Sequence, residues 1–267
     1  MTVKGITYWD DAYANIAHIP GGAELPDRWL RDAAAFRAAW TPEAIEGGEF
    51  YLPQGTPRGL MVFIHGGYWM KFGPAWFSHL ARGALERGWA VLLPAYPLAP
   101  GGTLAGMRDA VAAGIAAAAG RVAGPVALAG HSAGGHLAAR LICGDSPLPA
   151  PVLARIRRCL PVSGLFDLRP LQFTAMRDDL GLTDAVARRE SPLFHLPARD
   201  LDLHLWVGAE ERPVFLRQSR LIHAAWAGIP NRTDLTVEAG RHHLDVIDGL
   251  ADPAHPLTAA LLDGSRS

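Results

Sequence analysis

The chain has 267 residues, 49% of them apolar and 19% charged, with a formal net charge of −1. That is apolar material for one sizeable core, with no surplus charge to hold nucleic acid or an anionic membrane surface. A small-molecule substrate is the expected partner. In chain order, runs at residues 49–52, 60–64, 90–93, 126–129, 159–162, 204–207 and 235–238 read as strands. Helical patterns at 75–87, 103–121, 136–143 and 213–227 lie between most of them. Continuous apolar strands joined by helical crossovers predict an α/β fold, a mostly parallel central sheet with helices on both faces. Residues 168–201, rich in Arg, Asp and Pro, carry no clear strand and read as a small helical insertion or partial lid. No repeat or low-complexity linker divides the chain, so residues 1–267 read as a single domain.

No basic segment leads into an apolar one at the N-terminus, so no secretory signal is expected. Residues 110–119 form an alanine-rich stretch too short to span a bilayer. Cys143 and Cys159 lie in apolar runs outside any metal-ligand spacing and read as buried thiols in a reducing compartment. The expectation is a cytoplasmic protein without membrane contact.

Residues 130–134, Gly-His-Ser-Ala-Gly, stand between the predicted strand at 126–129 and a helical stretch. Glycines flank Ser132 because a Cβ at either position would crowd the adjoining strand and helix. The sharp turn lifts the hydroxyl over the sheet, within reach of a histidine. The pattern reads as a nucleophile elbow of the α/β-hydrolase type, with Ser132 as the expected nucleophile. Strand 60–64 runs directly into His65-Gly66-Gly67-Tyr68-Trp69. Acyl transfer needs preorganised N–H groups for its oxyanion, and paired glycines let a backbone approach substrate closely. In this fold one donor follows the nucleophile, here Ala133. The other comes from an early loop, here Gly67 or Tyr68, with Gly66 enabling the turn.

The fold places its acid and then its histidine after the serine. Of eleven histidines, His242 and His243 follow the last predicted strand, where the base belongs, and periodicity does not choose between them. His65 is expected to brace the oxyanion loop and His131 to be locked in the elbow. His18, His79, His195, His204, His223 and His255 read as structural or surface residues. For the acid, Glu210 and Glu211 follow strand 204–207, and Asp167 after strand 159–162 is the rival. A carboxylate at either place could hold the imidazole in one tautomer. Neither H-E-x-x-H nor a Cys/His cluster occurs, so no metal and no other cofactor are expected.

The H-G-G-x-W pattern at 65–69 resembles that of kynurenine formamidases (arylformamidases) within the α/β-hydrolase superfamily, whereas more distant esterases usually carry H-G-G-G. Ser163-Gly164-Leu165-Phe166-Asp167-Leu168-Arg169-Pro170-Leu171 is similar to the same family, as are Leu180-Gly181-Leu182-Thr183 and Ser191-Pro192. So are Phe215-Leu216-Arg217-Gln218-Ser219 and residues 13–37, which extends the resemblance over nearly the whole chain. The resemblance implies Ser132 as nucleophile. It implies His243 as base, because the family's histidine precedes an aromatic or aliphatic residue and aspartate, as Leu244-Asp245 do. It places Glu211 where the family usually has aspartate. The implied reaction is hydrolysis of N-formyl-L-kynurenine to kynurenine and formate through an acyl-enzyme. The aspartate-to-glutamate departure keeps a short-acyl esterase or other amidase as the alternative. A formyl substrate calls for a pocket narrow on the acyl side and aromatic on the other, and Tyr68, Trp69 and Phe166 are expected to line it. Small hydrolases often form homodimers, but nothing in the sequence marks an interface.

Overall fold

The computed structural model describes residues 8–229 and 232–263. Residues 1–7, on which the reading for a signal partly rests, lie outside the described residues, as do the other ends of the predicted domain. The strands are β1 (Glu43–Ile45), β2 (Gly48–Tyr51), β3 (Leu60–Ile64), β4 (Ala90–Pro94), β5 (Val126–His131), β6 (Ile156–Val162), β7 (Asp202–Gly208) and β8 (Arg232–Glu238). Their spatial order is β1-β2-β4-β3-β5-β6-β7-β8. From β4 to β8 every neighbouring pair is parallel, while β1 and β2 add an antiparallel edge. The helices are α1 (Tyr8–Tyr13), α2 (Leu25–Ala39), α3 (Arg82–Glu86), α4 (Leu104–Arg121), α5 (Ala133–Leu141), α6 (Ala150–Leu153), α7 (Met176–Asp179), α8 (Asp184–Glu190), α9 (Pro213–Trp226) and α10 (Pro256–Leu262).

Strands β3, β4 and β5 are buried at every position because the sheet has a helical layer on each side. Side chains alternate between the two layers. Leu60, Val62 and Ile64 join a core with Met107, Val111 and Ile115 of α4 and Leu137 of α5. Met61 and Phe63 point the other way, into a core with Trp29, Phe36, Leu257 and Leu261. Helix α4, alanine-rich and packed, starts at Thr103, whose hydroxyl accepts from the Gly106 N–H at 3.1 Å.

Three departures from the sequence reading have local causes. The pattern at 75–87 is not one helix but two 3-10 turns, Pro74–Trp76 and Ser78–Ala81, followed by α3. Phe77 breaks it with φ −121° and ψ 9°, and its buried ring meets Trp29 at 5.0 Å and Phe63 at 6.0 Å. The helix expected from residue 136 begins at Ala133, directly behind the serine. Helix α2 was absent from the periodicity reading, although Trp29, Ala33 and Phe36 form its buried stripe at four- and three-residue spacing. Residues 168–201 fold as short helical pieces: α7, α8 and the 3-10 turns Arg169–Phe173 and Pro192–Phe194.

Candidate active site

The loops that follow β3, β5, β7 and β8 at their C-terminal ends carry the candidate residues. Ser132 stands between β5 and α5 with φ 54° and ψ −114°, a conformation that costs energy for any residue with a Cβ. Its neighbours hold it there. The Ser132 N–H donates to the Val162 carbonyl at 2.9 Å, and the Ser132 carbonyl accepts from the His136 N–H at 3.0 Å. The glycines on either side are obligatory. A Cβ on Gly130 would lie 2.2 Å from the Gly134 oxygen, and one on Gly134 would lie 2.0 Å from the Ile64 oxygen.

His243 Nδ1 donates to Glu211 Oε2 at 2.6 Å, which in the neutral ring leaves Nε2 free to accept a proton. Both side chains are buried. The other carboxylate oxygen, Oε1, accepts from the Gly208 N–H at 2.8 Å and from Ser163 Oγ at 2.5 Å. Ser163, at φ 52° just beyond β6, is thus part of the site, and sequence reasoning missed it; it appeared only within the family-like stretch at 163–171. Glu210 is exposed, so of the adjacent glutamates only Glu211 turns inward. Asp167 is buried but spent elsewhere, since both its oxygens accept from Arg169 at 2.9 Å. Burial opposes its ionisation, yet the hydrogen bonds and charge of Arg169 hold its carboxyl below the usual range. His242 also faces away: its Nδ1 accepts from the Leu244 and Asp245 N–H groups at 3.2 Å.

His131 does more than fill the elbow. Its Nε2 donates to the His243 carbonyl at 2.8 Å, and the two rings lie 4.7 Å apart. Burial and then the neighbouring His243 push the His131 pKa well below the ordinary value, so it stays a neutral strut. The Phe215 ring lies 4.2 Å from that of His243. The base candidate is therefore held by its backbone, its Nδ1 and two neighbouring rings.

The loop 65–69 is bent by a run of left-handed residues: Gly67 at φ 109°, Tyr68 at 51° and Trp69 at 59°. The Gly67 carbonyl accepts from the N–H groups of Met70 and Lys71, both at 3.0 Å. His65 braces the loop as expected. Its Nδ1 donates to the Gly66 carbonyl at 2.8 Å, and its ring stacks on Tyr96 at 4.3 Å. Burial lowers its pKa to about 4. Gly66 lies against the elbow, where a Cβ would come within 3.2 Å of the Ser132 Cβ. Among the described residues the N–H groups of Gly67 and Tyr68 have no acceptor, and Ala133, first in its helix, has none within α5. Three N–H groups, on the loop after β3 and directly behind Ser132, are thereby left without a described acceptor.

Ser132 and His243 open onto one apolar cavity of about 690 Å³. Its aromatic wall is Tyr13, Trp29, Tyr68, Phe72 and Phe77. Tyr68 donates its hydroxyl to the Tyr13 carbonyl at 2.6 Å, tying the loop to the N-terminal segment. Two expected wall residues are not there. Trp69 is fully buried in the core with its ring edge-on to His136 at 5.1 Å. Phe166 is also fully buried, fixed through its N–H to Gln218 Oε1 at 2.9 Å. The wall includes instead residues 13–17, Pro26 and Trp29, while segment 168–201 contributes Met176. Among the described residues no group of three or more His, Cys, Asp and Glu could hold a metal ion. Nor is any helix of the described residues long and apolar enough to cross a membrane.

The parallel sheet with its strand-elbow-helix at β5 and loop-borne His–Glu pair defines an α/β-hydrolase, and the chain belongs to the alpha/beta hydrolase family, whose model matches residues 61–265. Within it, the chain is similar to kynurenine formamidases. The Danio rerio enzyme is 28% identical over 80% of this chain and 76% of its own. The Drosophila melanogaster enzyme is 25% identical over 76% and 72%. A solved structure from a Silicibacter species, provisionally described as a thioesterase, is 42% identical, with a TM-score of 0.90 over 96% of this chain and 99% of its own. A propionate-bound esterase from Thermogutta terrifontis shares the fold at 21% identity, with a TM-score of 0.59 over 73% of this chain and 78% of its own.

Proposed function

We propose that this hydrolase removes a formyl group from an aryl amide, with N-formyl-L-kynurenine as the preferred substrate. The observation that carries the reading is that Ser132 and the Glu211-held His243 share a cavity walled by aromatic rings. The similarity to kynurenine formamidases supports it. In this mechanism His243 Nε2 takes the Ser132 proton as Oγ attacks the formyl carbon. Glu211 keeps the imidazole in the accepting tautomer and balances the imidazolium. The N–H groups of Ala133 and of Gly67 or Tyr68 receive the oxyanion; one such donor typically contributes about 10²–10³ in rate. His243 then protonates the leaving arylamine as the C–N bond breaks. Water, deprotonated by the same histidine, attacks the formyl ester, and formate leaves as Ser132 recovers its proton.

A second reading is a short-acyl esterase or thioesterase using the same residues, which the 42% identity to the Silicibacter protein favours. Turnover of N-formyl-L-kynurenine, p-nitrophenyl acetate and a short acyl thioester by purified protein separates the two, with Ser132→Ala as blank. Formamidase function predicts kcat/KM for the formamide of about 10⁴ M⁻¹ s⁻¹ or more. Ester or thioester turnover without formamide turnover would transfer the assignment to the second reading.

A further inference from the structure

Lys71 is an exposed residue on the cavity wall. Apart from the histidines it is the one ionisable cation among the described lining residues, and no Asp or Glu lines the cavity with it. Among the described residues it makes no ion pair, and the ion pairs there all use arginine or histidine. Its backbone is fixed by the same turn that presents Gly67 and Tyr68, through the 3.0 Å bond from the Lys71 N–H to the Gly67 carbonyl. An uncompensated ammonium beside an apolar cavity favours a ligand that brings the opposite charge.

Two further groups on this wall are incomplete. The Tyr68 hydroxyl spends its one proton on the Tyr13 carbonyl, so its oxygen can only accept, and it faces the Asn15 Nδ2 amide at 3.5 Å. That orientation fixes the Asn15 side chain and leaves Oδ1 buried without a donor. The buried Trp29 Nε1 likewise has no acceptor. Trp29 packs 5.9 Å from Phe72, the residue after Lys71. Buried polar atoms without partners are costly in a native fold, and a ligand that supplies both partners removes that cost. A zwitterionic amino-acid group has what they lack: a carboxylate for Lys71 and Trp29, and an ammonium for Asn15.

Resting on the formamidase reading above, we infer that Lys71, with Asn15 and Trp29, forms a subsite for the charged amino-acid end of the substrate, opposite the formyl end at Ser132. The enzyme is then selective for aryl amides bearing a carboxylate-containing tail. Calorimetric binding of L-kynurenine and of 2-aminoacetophenone, the same aryl ketone without the amino-acid end, tests this without requiring turnover. The wild type is expected to bind kynurenine about tenfold or more tightly than the neutral ketone. Lys71→Met should collapse that ratio toward one, Lys71→Arg should retain most of it, and rising salt should shrink it. Equal binding by the wild type, no binding of either ligand, or an equal loss for both ligands in Lys71→Met would overturn the subsite. Formamide turnover measured alongside keeps the two readings apart. A preserved ratio without turnover leaves the subsite standing and removes the formamidase, and turnover without a ratio does the reverse.

Discussion

Replacing Glu211 by glutamine preserves shape and exchanges one acceptor oxygen for a donor, in a place that has only donors around it. The wild-type carboxylate accepts from His243 Nδ1 at 2.6 Å, from Ser163 Oγ at 2.5 Å and from the Gly208 N–H at 2.8 Å. The new NH₂ must face one side or the other. The Gly208 N–H belongs to rigid backbone at the end of β7 and cannot turn away, so the amide oxygen stays there and the NH₂ faces His243. The imidazole must then move its proton to Nε2, the atom that should receive the proton of Ser132. An inverted tautomer of this kind costs about 10⁴ in kcat, or about 5.4 kcal/mol of transition-state stabilisation at 1.36 kcal/mol per tenfold. Steady-state turnover of the best substrate, with circular dichroism to verify the fold, measures it. Glu211→Asp keeps the charge but withdraws it by about 1.5 Å, and should lie between, near 10²-fold. Asp167→Asn should cost less than about tenfold, because that carboxylate is paired with Arg169. A Glu211→Gln enzyme retaining a tenth of wild-type activity, or an equal collapse in Asp167→Asn, would refute the assignment of the acid.

Ser163→Ala removes one of the three donors to Glu211 and should lower stability by about 1.5–3 kcal/mol, as measured by urea unfolding, with a smaller loss of kcat than Glu211→Gln. Gly134→Ala drives a Cβ to 2.0 Å from the Ile64 oxygen and should cost about 3 kcal/mol or more, or prevent folding; a stable, active variant would contradict the elbow geometry. Burial lowers His65 to about 4 and His136 to about 3, against an ordinary value near 6.5. Below that value the unfolded chain takes up protons that the native state refuses, so stability is full above pH 6.5 and falls as the pH drops toward 4. Unfolding free energies from urea titrations across that range should decline by up to about 1.4 kcal/mol per pH unit for each such histidine, and His136→Gln should flatten the slope by about one proton.

Strands β3, β4 and β5 were legible because a strand buried on both faces is apolar at every position, and the serine elbow because its glycines answer to steric limits within five residues. Asp167 and Glu211 could not be ranked from the chain alone, since both follow strands at the same sheet edge. What separates them is Arg169, which captures one, and the Gly208 turn with Ser163, which captures the other. Trp69 and Phe166 failed as wall residues for a similar reason: an aromatic beside a catalytic loop has the same sequence appearance whether it faces the cavity or the core. Tyr68, the third expected wall residue, does line the cavity, whereas Tyr13, Asn15 and Ile16 were missed because α1 and the turn after it carry mixed polar and apolar side chains without a clear period. Tyr13 acquires its place through the bond from Tyr68, a contact spanning more than fifty positions of sequence.

The cavity is assembled from two stretches of chain with different histories of sharing. Elbow, histidine, glutamate and the loop at 65–69 all lie within residues 61–265, the span common to the wider family. Tyr13, Asn15, Pro26 and Trp29 lie before it and are joined to it by Tyr68 to Tyr13, by Arg212 to Asp11 at 2.6 Å, by Arg28 to Asp248 at 2.8 Å and by Trp29 and Phe36 in the core under the sheet. On the proposed function, the bond-breaking groups come from the shared span alone, while the cavity wall is built jointly by that span and the stretch before it. A chimera that exchanged residues 13–17 between relatives, leaving the core residues Trp29 and Phe36 in place, would change one side of the cavity wall while keeping the elbow, histidine and glutamate.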